Sequence, residues 1–331
     1  MRCPLIAPAL TCFSLVPIFL CVTVIATLSH AGEVAITETE GKAVVTLDGK
    51  PFAEYRSDGY AKPIVYPIIG PHGIPMTRSY PMEKGVDNEA SDHPHHKSLW
   101  YTHDEVNGVR FWMEGESTKE NIAVGKIVQT SMKIEGNTIT TTDDWVGPDG
   151  KVVCSDTRTL TFGGDDNDRH IDVTVQWRAT NGEVHIGDTK EGTMGIRTNP
   201  LLRLSNDPKR GNHTAKGKAI NSEGVEGKDI WGKRAKWVDY WAPVNDHVVG
   251  VAIFDHPSNP KHPTWWHARN YGLVAANPFG VHDFEGKPKG TGDVTIPAGE
   301  SLTFRYRFLF HTGDVQSANI AAKYADFAET K

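Results

Sequence analysis

Thirteen residues of this chain, Ser91-Asp92-His93-Pro94-His95-His96-Lys97-Ser98-Leu99-Trp100-Tyr101-Thr102-His103, hold four histidines, a carboxylate beside them and two aromatics. Imidazole exchanges protons near neutral pH and ligates metals, so a cluster this dense points to acid–base chemistry or metal binding. Pro94 fixes its own φ and directs His93 toward an extended conformation. In an extended chain His93 and His95 project to one side and His96 to the other. His95 and His96 then serve one centre only if the chain bends between them. Asp92 is placed to orient a neighbouring imidazole through its second ring nitrogen. The plainer alternative is an Asx-turn at Asp92, with the histidines bonded locally.

A second stretch repeats the theme: Asp255-His256-Pro257-Ser258-Asn259-Pro260-Lys261-His262-Pro263-Thr264-Trp265-Trp266-His267-Ala268-Arg269. Three prolines stiffen it, and Asn259 can bond either backbone or ligand. Strand-like alternation puts Trp265 and His267 on one face with Arg269, and one of Trp265 and Trp266 belongs to the core. Flat aromatics beside Arg, Asn and His suit a sugar-binding cleft, because a pyranose has an apolar C–H face and a rim of hydroxyls. Substrate-binding candidates are therefore Asp92, His95, Trp100, His256, Asn259, His262, Trp266 and Arg269. Arg197, His282, Asp283 and Glu285 are further polar candidates. For a divalent metal, His93 and His95 are the candidate ligands, although the spacing matches no standard motif. One site requires the two histidine-rich stretches to meet at a common pocket.

The elements that must position these residues read almost entirely as strands. Ile171, Val173, Val175 and Trp177 share one face, as do Leu302, Phe304, Tyr306, Phe308 and Phe310. Asp48-Gly49, Gly136-Asn137, Pro148-Asp149-Gly150 and Pro297-Ala298-Gly299 supply turns. Ile122–Ile134, Thr138–Trp145 and Val152–Phe162 form a meander, with Cys154 a strand residue. Only Val315–Phe327 reads as helix, with Asp314 as its N-cap. Short strands without βαβ alternation imply an all-β fold, an antiparallel β-sandwich with one C-terminal helix. Residues 32–331 are expected to form a single domain, with an irregular segment from Ser205 to Asp229.

Residues 1–31 read as a signal peptide. Arg2 provides a basic start, Leu5 to Leu28 is almost free of charge, and Ser29-His30-Ala31 offers a cleavage site. A periplasmic or secreted location follows. Cys3, Cys12 and Cys21 leave with that segment, so Cys154 remains alone and no internal disulfide forms. The formal net charge of −6 and the lack of any basic stripe argue against a nucleic-acid partner. No later apolar run reaches membrane-spanning length. Asn212-His213-Thr214 matches a glycosylation sequon. Phosphate loops, serine elbows and His-Glu-x-x-His pairs are absent from the sequence.

Asp92-His93-Pro94-His95-His96-Lys97-Ser98-Leu99-Trp100 and Asn107-Gly108-Val109-Arg110-Phe111-Trp112 resemble the signature of an exported bacterial family of unknown function, catalogued as "PmoA-like" or "methane oxygenase". The resemblance extends through Tyr66-Pro67-Ile68, Gly195-Ile196-Arg197-Thr198 and Asn277-Pro278-Phe279-Gly280. Its label implies a metal-dependent oxygenase as one alternative. Ile296-Pro297-Ala298-Gly299-Glu300-Ser301-Leu302-Thr303-Phe304 more faintly resembles the galactose-mutarotase-like sandwich proteins. That likeness implies a supersandwich and proton transfer on a sugar or oxidised sugar, by mutarotation, epimerisation or elimination. By this resemblance His96 or His267 is the acid and Glu285 or Asp283 the base. The remaining alternative is a non-catalytic carbohydrate-binding module using Trp100, Trp265 and Trp266, its ligand a small molecule or oligosaccharide.

Overall fold

Alternation of apolar and polar residues builds most of the chain. In the strand Asp168–Arg178, Arg169, Ile171, Val173, Val175 and Trp177 are buried while the intervening residues are more open. Its neighbour Ser301–Thr312 pairs antiparallel with it, setting Ile171 opposite Phe308, Val173 opposite Tyr306 and Val175 opposite Phe304. Such matched apolar pairs set the register, because a slip of one residue would turn every buried side chain to the other face. The computed structural model describes residues 31–86, 89–115, 124–206 and 214–330, together with Met1 and Pro4. Cys3, Cys12 and Cys21 of the segment expected to be a signal peptide, and Asn212 of the sequon, lie outside the described residues.

Two antiparallel eight-stranded sheets result. The first runs in space Val34–Thr39, Lys42–Leu47, Lys50–Arg56, Ile64–Ile68, Leu99–His103, Gly192–Arg197, Leu273–Asn277 and Trp265–Ala268. The second runs Lys218–Asn221, Trp237–Val244, His247–Asp255, Ser301–Thr312, Asp168–Arg178, Val152–Gly164, Thr138–Val146 and Lys126–Glu135. A small third sheet joins Val294–Ile296, Val184–Ile186, Glu105–Val106 and Val109–Arg110. The two large sheets share one hydrophobic core. Within it Phe52 meets Phe162 edge-on at 5.8 Å, and Tyr101 meets Trp177 at 6.0 Å. This is an all-β antiparallel sandwich with a C-terminal helix, Ile320–Ala328, packed on the outer face of the second sheet through Tyr324 and Phe327.

Three local expectations change. The C-terminal helix begins at Ile320 after Asn319 in the left-handed region, and Asp314 instead closes a turn by accepting the Gln316 and Ser317 amides. A second helix, Val281–Glu285, occupies what the sequence suggests is loop. Five residues are too few for helical periodicity to register. The irregular stretch after Ser205 contains the edge strand Lys218–Asn221, too short for its alternation to stand out. The meander is present as Lys126–Glu135, Thr138–Val146 and Val152–Gly164, its first strand starting at Lys126 rather than at Ile122, which lies outside the described residues, and Cys154 is buried in its last strand.

The first sheet positions the site. Residues directly opposite in neighbouring strands share a face, and the pairings run Ile64 to Trp100 to Gly195 to Ala275 to His267. One row on the sheet's outer face therefore leads from the strand after the first histidine cluster to His267. Trp100 lies flat across this row because Gly195 has no side chain; a Cβ there would stand 3.0 Å from the indole. Gly195→Val is expected to cost about 1–3 kcal/mol through overpacking. A urea-unfolding midpoint equal to that of the wild type would refute the close approach.

Candidate active site

The first histidine cluster bends where an extended chain was expected. His93 takes φ 45°, and the His96 amide donates to the His93 carbonyl at 2.9 Å, closing a turn around Pro94. Ser98 at φ 56° turns the chain again before the strand Leu99–His103. Tertiary hydrogen bonds explain the bend. The buried Arg78 guanidinium donates to the carbonyls of Ala90, Asp92, His93 and His96. Asp92 accepts from Arg78 at 2.6 Å and Arg197 at 3.0 Å through one oxygen, and from His93 Nδ1 at 2.7 Å through the other. Burial alone would raise the Asp92 carboxyl; the His93 hydrogen bond and both guanidiniums hold it well below the ordinary range.

This turn stacks four rings. Tyr271 lies on His93 at 5.3 Å, His93 on His96 at 4.8 Å, and His96 on Trp100 at 5.4 Å, all within 14° of parallel. His95 meets His96 edge-on at 4.5 Å. Trp100 and Trp112 back the stack inside a small apolar cluster. Burial, with help from nearby cations, pushes His95 down to about 3 and His96 well below its usual value. Both are therefore neutral at pH 7. A guanidinium can only donate, so the 3.2 Å contact from Arg197 to His96 Nδ1 leaves the ring proton on Nε2. His267 has the opposite tautomer: its Nδ1 donates to the Lys190 carbonyl at 2.8 Å, leaving Nε2 an acceptor. Burial and then Arg269 push His267 down to about 3.

A cleft of about 300 Å³ is lined by His93, His95, His96 and His267, with Arg110, Lys190, Glu191, Arg269, Tyr271 and Met113 completing its wall. The two sequence stretches thus contribute to one cavity, but unequally. The first supplies His93, His95 and His96, and the second only His267 and Arg269. Sequence reading missed Glu191, the one carboxylate lining the cleft among the described residues. Burial raises its carboxyl above the ordinary value, opposed by Lys190 and reinforced by Asp104 and Asp283. The available signal was a charged Lys190-Glu191 pair directly before the fully buried strand Gly192–Arg197. Arg110 is tied to Asp104, whose amide in turn donates to the Glu191 carbonyl.

Several candidates are engaged elsewhere. Asp255 organises its own loop, accepting from Asn259 at 2.7 Å, His262 at 2.7 Å and the Thr264 amide at 2.9 Å. His256 bonds Ser258 and the Thr330 carbonyl beside the C-terminal helix. His256, Asn259 and His262 do not line the cleft and make their hydrogen bonds within that corner of the fold. Trp266 is core, its indole donating to the Ala235 carbonyl, and Trp100 is buried in the ring stack. Trp265 is buried too, and donates to Glu285 at 2.9 Å. The exposed tryptophan platform expected of a binding module is therefore absent among these three residues. Glu285 is spent on Trp265, and Asp283 accepts the Lys190 amide at 2.9 Å. Neither lines the cleft; Asp283 positions the segment bearing Lys190 and Glu191. Arg197 and Asp92 lie behind the histidines and set their orientation. Among the described residues no three His, Cys, Asp or Glu side chains gather as a metal-ligand set around His93 and His95.

The sequence profile of a family of unknown function, DUF6807, matches residues 42–325. The chain belongs to that family. The comparisons lend no support to the methane-oxygenase label. No curated protein sequence matches the chain. Among solved structures it is similar to a protein of Synechocystis sp. PCC 6803, at 8% identity and TM-score 0.35, covering 85% of this chain and 96% of that one. It is also similar to a galactose mutarotase related enzyme from Lactobacillus acidophilus, at 10% identity and TM-score 0.32, covering 84% and 97%. The α-galactosidase of Lactobacillus brevis shows 7% identity and TM-score 0.35, with 84% of this chain spanning 39% of that one. Likeness at this level assigns no activity, so the chemistry must be read from the cleft itself.

Two outcomes follow from this geometry. Asp92→Asn removes the carboxylate shared by two buried guanidiniums and is expected to cost about 3–5 kcal/mol; a denaturation midpoint within error of the wild type would contradict the arrangement. The histidines make a pH signature. A folded pKa depressed below the unfolded value near 6.5 means the native state binds fewer protons. The associated stability is complete above that value and drains away as pH falls toward about 3 for His95 and His267. Urea midpoints should therefore drop between pH 7 and 4.5, with a shallower slope in His267→Gln. Equal slopes would refute the buried neutral ring.

Proposed function

We propose that this protein is an exported carbohydrate-active enzyme that moves a proton on a sugar, in a mutarotation, epimerisation or elimination. The observation that carries the reading is Glu191, a carboxyl shifted toward neutrality, in one cleft with imidazoles of opposite hydrogen-bonding polarity. A cavity of about 300 Å³ lies at the small end of ligand sites and suits one sugar ring. Met113 offers apolar surface for the C–H face. His96 Nε2–H supplies a donor and His267 Nε2 an acceptor for the hydroxyl rim.

The division of labour follows from these tautomers and shifts. General acid–base efficiency is greatest when the group's pKa approaches the working pH. Glu191 is moved in that direction, whereas His95, His96 and His267 are moved away from it. Glu191 is therefore the base in place of Asp283 and Glu285. It removes a proton from the sugar while His96 Nε2–H hydrogen-bonds the oxygen on which negative charge grows. In an isomerisation the Glu191 carboxylic acid then returns that proton to the product, so no co-reactant is consumed. His267 fixes the substrate's orientation by accepting from a hydroxyl. His95, His96 and His267 act as neutral polar groups rather than as cations.

Turnover is best sought by NMR exchange spectroscopy across a sugar panel. Glu191→Gln is expected to slow it about 10²- to 10⁴-fold. His96→Ala and His267→Ala should also abolish it while the fold is retained. If Glu191→Gln turns over at the wild-type rate, the assignment fails. Export is checked separately: N-terminal sequencing of protein recovered from the periplasm or medium should begin at Gly32, and a chain beginning at Met1 would argue against cleavage.

A further inference from the structure

The charges around the cleft are not balanced, and the imbalance identifies the chemical class of its ligand. Arg110 is neutralised by Asp104, and Lys190 is shared between Glu191 and Asp283, each at 3.7 Å. Arg269 differs. It lines the cleft beside His267 with its guanidinium 5.6 Å over the Tyr271 ring, yet no carboxylate or carbonyl among the described residues accepts from that guanidinium. Behind His95 a second excess is buried: Lys62 and Lys97 both bond the single carboxylate of Glu114. Lys62 is only 1% exposed, and burial pushes its ammonium down to about 8 despite Glu114. Arg269 is part-exposed, so its guanidinium can be reached from the cleft, and a carboxylate is the partner that matches its planar fork.

We propose that the cleft takes a sugar acid, a monosaccharide bearing a carboxylate, and that Arg269 receives that carboxylate. The inference rests on the reading of the cleft as a sugar site and narrows its substrate class. Arg269 lies two residues beyond His267, so one short segment grips the carboxylate and orients a hydroxyl of the same ring. The positive field from Lys62 and Lys97 behind His95 favours an anion throughout the cavity. The same field disfavours imidazolium, in keeping with the depressed histidines.

Calorimetric titration of the full chain with galacturonate, glucuronate, galactose, glucose and galactose 6-sulfate tests the assignment. Uronates are expected to bind about tenfold or more tighter than the neutral sugars, the worth of a charge-assisted hydrogen bond, with affinity falling as salt rises. Arg269→Gln should erase that preference while changing neutral-sugar affinity less than about threefold, and Arg269→Lys should restore part of it. Equal binding of neutral and acidic sugars, or a preference that survives Arg269→Gln, overturns the proposal while leaving the sugar site standing. Equal binding of the sulfate ester overturns the carboxylate assignment in favour of anions in general. Binding of none of these compounds overturns the sugar reading and this inference with it. If Arg269→Gln does not fold, the ligand ranking and salt dependence of the wild-type chain still decide.

Discussion

Asp92 sits where Arg78 and Arg197 meet, and the geometry of the site follows from that contact. Two nearly fully buried guanidiniums in contact with one carboxylate form an arrangement that is expensive to desolvate and more expensive to break. Its return is positional. Arg78 gathers the carbonyls of Ala90, Asp92, His93 and His96, Arg197 fixes the tautomer of His96, and the second oxygen of Asp92 holds His93. The loop that Arg78 ties down stacks His93 and His96 in register on Trp100.

The first sheet supplies the other half of the site. Cross-strand pairing delivers His267 to the same face as Trp100, with Gly195 and Ala275 between them too small to intervene. Burial beside cations then holds His95, His96 and His267 neutral, while Glu191 moves the opposite way. Titratable groups whose environments push them apart divide the labour between them. The cleft therefore combines one tuned carboxyl with imidazoles that direct hydrogen bonds and do not carry charge.

The two histidine-rich stretches look alike in composition and differ in what their carboxylates do. Asp92 faces arginines from elsewhere in the fold, and so places its histidines at a cavity. Asp255 is surrounded by its own loop, binding Asn259, His262 and Thr264, and leaves nothing for a ligand. Composition and spacing cannot separate these cases, because the deciding partners are far away in the chain. Alternation in Trp265–Ala268 put His267 and Arg269 on one face, and both reach the cleft; it did not tell the tryptophans apart, since both are buried and Trp266, a binding candidate by sequence, is core. Glu191 escaped notice because the Lys190-Glu191 pair before a buried strand gives only a faint local sign of a site.

By itself the amino-acid sequence determined the antiparallel sandwich, the three-strand meander and the helical C-terminus, since these depend on period-two patterning, turn residues and local propensity. It also marked the Asp92–His103 stretch as chemically loaded. The tertiary structure alone decided which histidines share a cavity, which tautomer each adopts and which carboxyl is shifted toward neutrality. Those properties arise from desolvation and from contacts such as Arg197 with His96 or Lys190 with His267, between residues 101 and 77 positions apart, and no local pattern encodes them.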